Sequence, residues 1–94
     1  MPITLATVLR QSQNQASCSL DGDVAILNLK NSLYFGLDEV GAFIWHALAE
    51  PRSTAELCRL VVDHFDVEEA RCTADIIDFL TKLDDASLLE IVRQ

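Results

Sequence analysis

The pattern of apolar positions along this chain changes near residue 38. Before it, apolar residues come in short runs with strand character. After it, they recur at helical spacing. Thr4 to Arg10 (T-L-A-T-V-L-R) is rich in β-branched and apolar types, and Val24 to Leu29 (V-A-I-L-N-L) reads as a clear strand. Gln11 to Gln15 is polar and reads as a loop or hairpin tip, with Ser17 to Leu20 a short extension of strand. Asp21-Gly22 supplies a residue that tolerates positive φ, so it marks the turn before Val24. Lys30-Asn31-Ser32 is a second tight turn, and Leu33 to Leu37 is the strand that follows it. This spacing predicts an antiparallel meander of two or three strands.

The second half predicts three helices. Asp38 is placed to cap the first, with Leu37 before it as a hydrophobic staple. Val40, Ile44, Ala47 and Leu48 give it an apolar face, and Pro51 ends it. Ser53-Thr54-Ala55-Glu56 is a capping box for a second helix, which carries Leu57, Leu60, Val61 and Phe65 on one face. Asp66-Val67-Glu68-Glu69 reads as an acidic cap for a third helix that runs to about Leu83 or Asp85. The closing Leu88 to Val92 is apolar and short, either a last strand or a segment packed on the core. The order is β-β-β-α-α-α with an extended tail, an α+β domain over residues 1–94.

The third helix has more apolar surface than one buried face needs. Phe79, Cys72, Leu83, Ile76 and Leu80 form a stripe that Ile77, Ala70 and Ala74 extend. The combined arc is about twice the ~100° stripe of an ordinary surface helix. Either this helix is nearly central, or one flank is left for an incoming partner. A free edge on the strand Leu33 to Leu37 would complement such a flank, because an edge offers unpaired amides and carbonyls to an extended peptide.

Composition narrows the function classes. The chain carries 7 Lys and Arg against 15 Asp and Glu, a formal net charge of −8. That balance argues against a nucleic-acid partner, which needs a basic face. The start Met1-Pro2-Ile3-Thr4 has no basic region followed by an apolar run, and no stretch approaches the about 18 apolar residues of a membrane span. The expected location is therefore cytoplasmic. Cys18, Cys58 and Cys72 are odd in number and form no C-x-x-C pair, so they read as buried thiols rather than metal ligands. His46 and His64 sit beside apolar residues without an oriented partner for general-base work. There is no G-x-S-x-G, no Gly-rich phosphate loop and no metal-ligand spacing. These observations predict a protein without enzymatic activity, cofactor or metal.

One resemblance gives the pattern a function. The run Asn28 to Trp45 (N-L-K-N-S-L-Y-F-G-L-D-E-V-G-A-F-I-W) resembles the PqqD-like family in its aromatic pair, Leu, capping residue, small residue and apolar-Trp pair. Ser53 to Leu57, Phe65-Asp66-Val67, Asp75-Ile76, Phe79-Leu80, Leu83 and the ending Ala86 to Leu89 follow in the family's order. Ser87 stands where the family often has Gly, and Asp38 where Asn is commoner. The resemblance implies a winged helix-turn-helix-like fold, with a three-stranded antiparallel sheet and three helices. It implies a recognition element that binds the leader of a ribosomally synthesised precursor peptide as an added strand. The bound leader would be presented to a modifying enzyme or a leader protease. A stand-alone chain of this size is similar to the leader-binding protein of lasso-peptide pathways, with the peptide chaperone of pyrroloquinoline quinone biosynthesis as the alternative. A winged-helix DNA-binding regulator is a third reading, disfavoured by the acidity. By position, the strand side of the cleft would be Asn31, Ser32, Leu33, Tyr34 and Phe35. The helix side would be Cys72, Asp75, Ile76, Phe79 and Leu83. Which of Tyr34 and Phe35 faces the core stays open, since a one-residue slip exchanges them. A free edge also leaves pairing with a second copy open.

Overall fold

A computed structural model of the chain describes residues 3–13, 15–20, 23–30, 32 and 34–92. The strands are β1 (Val8–Gln11), β2 (Gln15–Leu20), β3 (Asp23–Asn28) and β4 (Tyr34–Leu37), then β5 (Arg52–Ser53) and β6 (Leu89–Val92). The helices are α1 (Glu39–Ala47), α2 (Thr54–Phe65) and α3 (Glu69–Asp85). The fold is α+β, with three helices and an antiparallel meander β2-β3-β4, and a second antiparallel sheet of order β5-β1-β6. Apolar residues from both sheets and all three helices form one core around Trp45, Leu48, Leu57, Leu80 and Leu88.

The first strand departs from expectation. Thr4 to Thr7 is a turn, closed by the Thr7 amide on the Thr4 carbonyl at 3.1 Å. The strand begins at Val8 and pairs with the C-terminal segment rather than with the meander, with Leu9 opposite Ile91 and Arg10 opposite Glu90. Arg10 donates to the Glu90 carboxylate at 3.0 Å, and the Gln13 amide donates to the same group at 3.1 Å. These bonds, the Arg10 side chain first, hold the Glu90 carboxyl below its ordinary pKa. The meander's first strand is instead the polar Gln15–Leu20, paired with β3 from Gln15↔Asn28 to Leu20↔Asp23. The turn expected at Asp21-Gly22 lies outside the described residues.

The helix caps follow the chemistry of their side chains. Asp38 accepts from the Gly41 amide at 2.8 Å, and Ser53 from the Glu56 amide at 3.1 Å. Glu56 turns to Arg52 instead of closing the capping box. α1 stops at Ala47, four residues short of Pro51, because β5 follows Pro51 directly and pairs with β1. Asp66 is the left-handed C-cap of α2 (φ 52°), not part of an N-cap for α3, whose N-cap is Glu68, without a side-chain cap bond. At the end of α3 the Ser87 amide bonds the Asp84 carbonyl at 2.9 Å and the Leu88 amide bonds the Leu83 carbonyl at 3.0 Å. This is a Schellman motif, with Ser87 in the left-handed region at φ 61° and the buried Leu88 and Leu83 as its apolar pair. Asn28, buried at the end of β3, clasps the same corner. Its Nδ2 donates to the Ala86 carbonyl at 2.7 Å, while its Oδ1 accepts from the Lys30 amide at 2.9 Å.

All three cysteines are free thiols. Cys58 and Cys72 are buried as expected, but Cys18 is exposed because it sits on the outer strand of the meander. Burial, reinforced by the neighbouring Cys58, Asp75 and Glu69, pushes the Cys72 thiol pKa up. No helix among the described residues is long and apolar enough to cross a membrane.

Two predictions follow from these corners. A non-glycine residue in the left-handed region costs about 1–2 kcal/mol, against the ~0.5–1 kcal/mol of extra chain entropy that glycine loses. Ser87→Gly therefore raises the unfolding free energy by about 0.5–1 kcal/mol in urea denaturation; a loss of that size contradicts the Schellman assignment. Titration of the native protein with an aromatic disulfide at mildly alkaline pH modifies Cys18 promptly, and Cys58 and Cys72 only on unfolding. Prompt modification of all three contradicts the packing of α2 on α3.

Candidate functional site

The site is assembled where β4 passes into α1 against the side of α3. β4 pairs on one side with β3 and lies at the end of its sheet. Its register places Phe35 opposite Ile26 and Tyr34 opposite Leu27. Ile26 is fully buried, whereas Leu27 is 39% and Tyr34 69% exposed. Side chains alternate across a strand, so Phe35 faces the core and Tyr34 faces outward, which resolves the pair that the sequence left open. Ser32 is exposed at φ 60°, and its amide bonds the Asn28 carbonyl at 2.9 Å in the turn before β4. Asn31 and Leu33 lie outside the described residues.

Beside the β4–α1 junction is a groove of about 530 Å³, within the ~300–1,000 Å³ typical of binding clefts. Its apolar wall comes from Val40, Gly41 and Ile44 of α1, Val61 and Phe65 of α2, Val67 of the link, and Cys72, Ile76 and Phe79 of α3. Asp38, Glu68, Arg71 and Asp75 line it as well. Phe79 is the joint. A Cβ on Gly41 would stand 3.3 Å from the Phe79 Cζ atom and 3.4 Å from the Leu37 Cβ atom. The Phe79 ring and the last residue of β4 therefore meet the same point on α1. A side chain at Gly41 would make this contact tight, so the glycine eases their approach.

Four of the five helix residues expected at the cleft, Cys72, Asp75, Ile76 and Phe79, line this groove. The fifth, Leu83, does not line the groove; it packs in the core at the Schellman corner. The wide apolar arc of α3 thus serves two environments. Leu80 and Leu83 are core, Cys72 and Ile76 are floor, and Phe79 is a half-buried wall. Ala70 and Ala74 simply face solvent. The contribution of α1 was not anticipated. The signal was a glycine, Gly41, in the first turn of a helix, a poor helix former that a close approach would explain.

His46 and His64 are exposed, and His64 stacks on Phe43 at 4.5 Å between ring centroids. No group of His, Cys, Asp and Glu able to hold a metal ion occurs among the described residues.

Comparison with known proteins places this geometry. The structure of TbiB1 in complex with the TbiA(beta) leader peptide matches with a TM-score of 0.81 at 32% identity, over 90% of this chain and 99% of that one. A lasso peptide synthetase B1 complexed with the leader peptide matches with a TM-score of 0.76 at 20% identity, over 87% of this chain and 96% of that one; at that identity it speaks for the fold alone. No curated protein matches the chain. The family of Coenzyme PQQ synthesis protein D (PqqD) matches residues 23–89, from the start of β3 to the start of β6. The chain belongs to the PqqD family.

Proposed function

We propose that this protein binds the leader segment of a ribosomally synthesised precursor peptide, as in lasso-peptide pathways. The leader adds as a strand to the edge of β4 and sets apolar side chains into the groove beside Phe79. The protein has no catalytic step of its own and presents the leader to a modifying enzyme or leader protease in the cytoplasm. A single domain carries this role on a winged helix-turn-helix-like scaffold. The observation that carries the reading is a strand at the end of its sheet leading into a helix that walls an apolar groove, in a chain 32% identical to the leader-bound TbiB1. A second reading, a peptide chaperone of pyrroloquinoline quinone biosynthesis, has the family's own description in its favour. A DNA-binding regulator is opposed by the formal net charge of −8.

Magnitudes show why the groove matters as much as the edge. Micromolar affinity needs about −8 kcal/mol. An edge as short as β4 offers about four outward hydrogen bonds at ~0.5–1.5 kcal/mol each, against an ordering cost of ~2–5 kcal/mol for the peptide. Two or three apolar anchors at ~1.5–3 kcal/mol each must supply the rest. Val40 is 38% exposed on the groove wall and can be changed without opening the core.

Fluorescence anisotropy with the labelled leader of the precursor peptide encoded beside this gene tests the proposal. Saturable binding is expected, weakened about tenfold or more by Val40→Asp and by Phe79→Ala, with native circular dichroism in both. No saturable binding by the wild-type protein contradicts it.

A further inference from the structure

The groove is apolar in its walls but acidic at its rim. Three exposed carboxylates, Asp38, Glu68 and Asp75, and one exposed guanidinium, Arg71, line it. Their engagement differs. Asp38 spends one oxygen on the Gly41 amide, at the N-terminus of α1. Glu68 is the N-cap of α3 yet makes no side-chain cap bond. Asp75 reaches Arg71 only at 4.0 Å, with both side chains more than three-quarters exposed. The carboxylates therefore keep capacity for an incoming donor, and the rim is net negative on a chain that is itself net negative.

A purely apolar occupant would pass these groups without compensation, and an acidic one would be repelled. A side chain with an alkyl stem and a cationic head fits both parts. Its methylenes cover apolar wall while the charge stays at the wet rim, as Lys and Arg do on other apolar surfaces. We infer that the groove takes a leader segment carrying Lys or Arg beside its apolar anchor, and that Glu68 and Asp75 select for that cation. This rests on the leader-binding reading above and adds the chemistry of the side chain that enters.

The selection is one of complementary charge at a partly screened site. It acts on specificity and encounter rate as well as on affinity, and salt weakens it. Rejection of an acidic residue here has the same origin, since a like charge at the rim is left without a partner.

The test uses the same labelled leader. Its basic residues are replaced one at a time by norleucine, which keeps the stem and removes the charge. On the protein side, Glu68→Gln combined with Asp75→Asn removes two rim charges, and Asp84→Asn combined with Asp85→Asn removes two at the far end of α3. The rim variant is expected to weaken binding about 3- to 10-fold and to flatten its dependence on NaCl between about 0.05 and about 0.5 M. One norleucine peptide should lose affinity for wild type but not for the rim variant, and the far-end variant should bind as wild type. Equal losses in the two variants would mean general attraction and overturn the assignment. So would a leader with no basic residue, or a rim variant that binds unchanged while wild type still binds the leader. Failure of wild type to bind at all overturns the leader reading and this inference together.

Discussion

The Phe79 ring lies against α1 at Gly41, on the same spot that Leu37 approaches from the end of β4. Three elements are held in one geometry by that contact. Asp38 fixes where α1 begins, through its bond to the Gly41 amide. Gly41 then presents bare backbone where any other residue would place a Cβ 3.3 Å from the ring. The end of β4 and the side of α3 thus both pack on the first turn of α1. Move the ring, and the groove loses a wall. Gly41, in the first turn of α1, is a poor helix former; here it eases close packing of Phe79 and Leu37 on the helix.

The meander and its edge express a second constraint. Natural sheets protect their edges with charge, proline or short length. β4 is short, with four residues, but Tyr34-Phe35-Gly36-Leu37 carries neither charge nor proline. Its inward positions, Phe35 and Leu37, are tied to Ile26 and Val24 across the strand, so the register cannot slip without exposing core. An edge that is fixed in register but unprotected suits a partner that adds as a strand. The far corner supports it, since Asn28 and the Ser87 turn fasten the end of β3 to the end of α3.

Much of this was legible in the chain, and what was not has identifiable causes. The caps at Asp38 and Ser53 were readable because capping is a short-range matter of side-chain oxygen and spacing. The four groove residues of α3 were readable because an apolar arc wider than one face can bury implies a second environment. The pairing of β1 with β6 was not, since Arg10 and Glu90 are 80 residues apart and no periodicity reports a long-range partner. β2 was partly missed because Gln15-Ala16-Ser17-Cys18-Ser19-Leu20 lacks strand composition and owes its extended form to pairing with β3. Asp66 was misassigned because an aspartate before an acidic run reads as an N-cap, while αL geometry at a C-cap is equally open to it. Leu83 shares the apolar stripe but lies outside the groove, at the end of α3 where the chain turns back over it.

The central claim is that the β4 edge and the Phe79 groove together receive the peptide. Amide nuclear magnetic resonance of the labelled protein, with and without the leader, tests it most directly. The account predicts slowed exchange at outward-facing amides of Tyr34 to Leu37, cross-strand contacts from the peptide backbone to those residues, and shifts at Gly41 and Phe79. Slowed exchange confined to the other edge of the meander, at Gln15 to Leu20, with β4 unchanged, would contradict it.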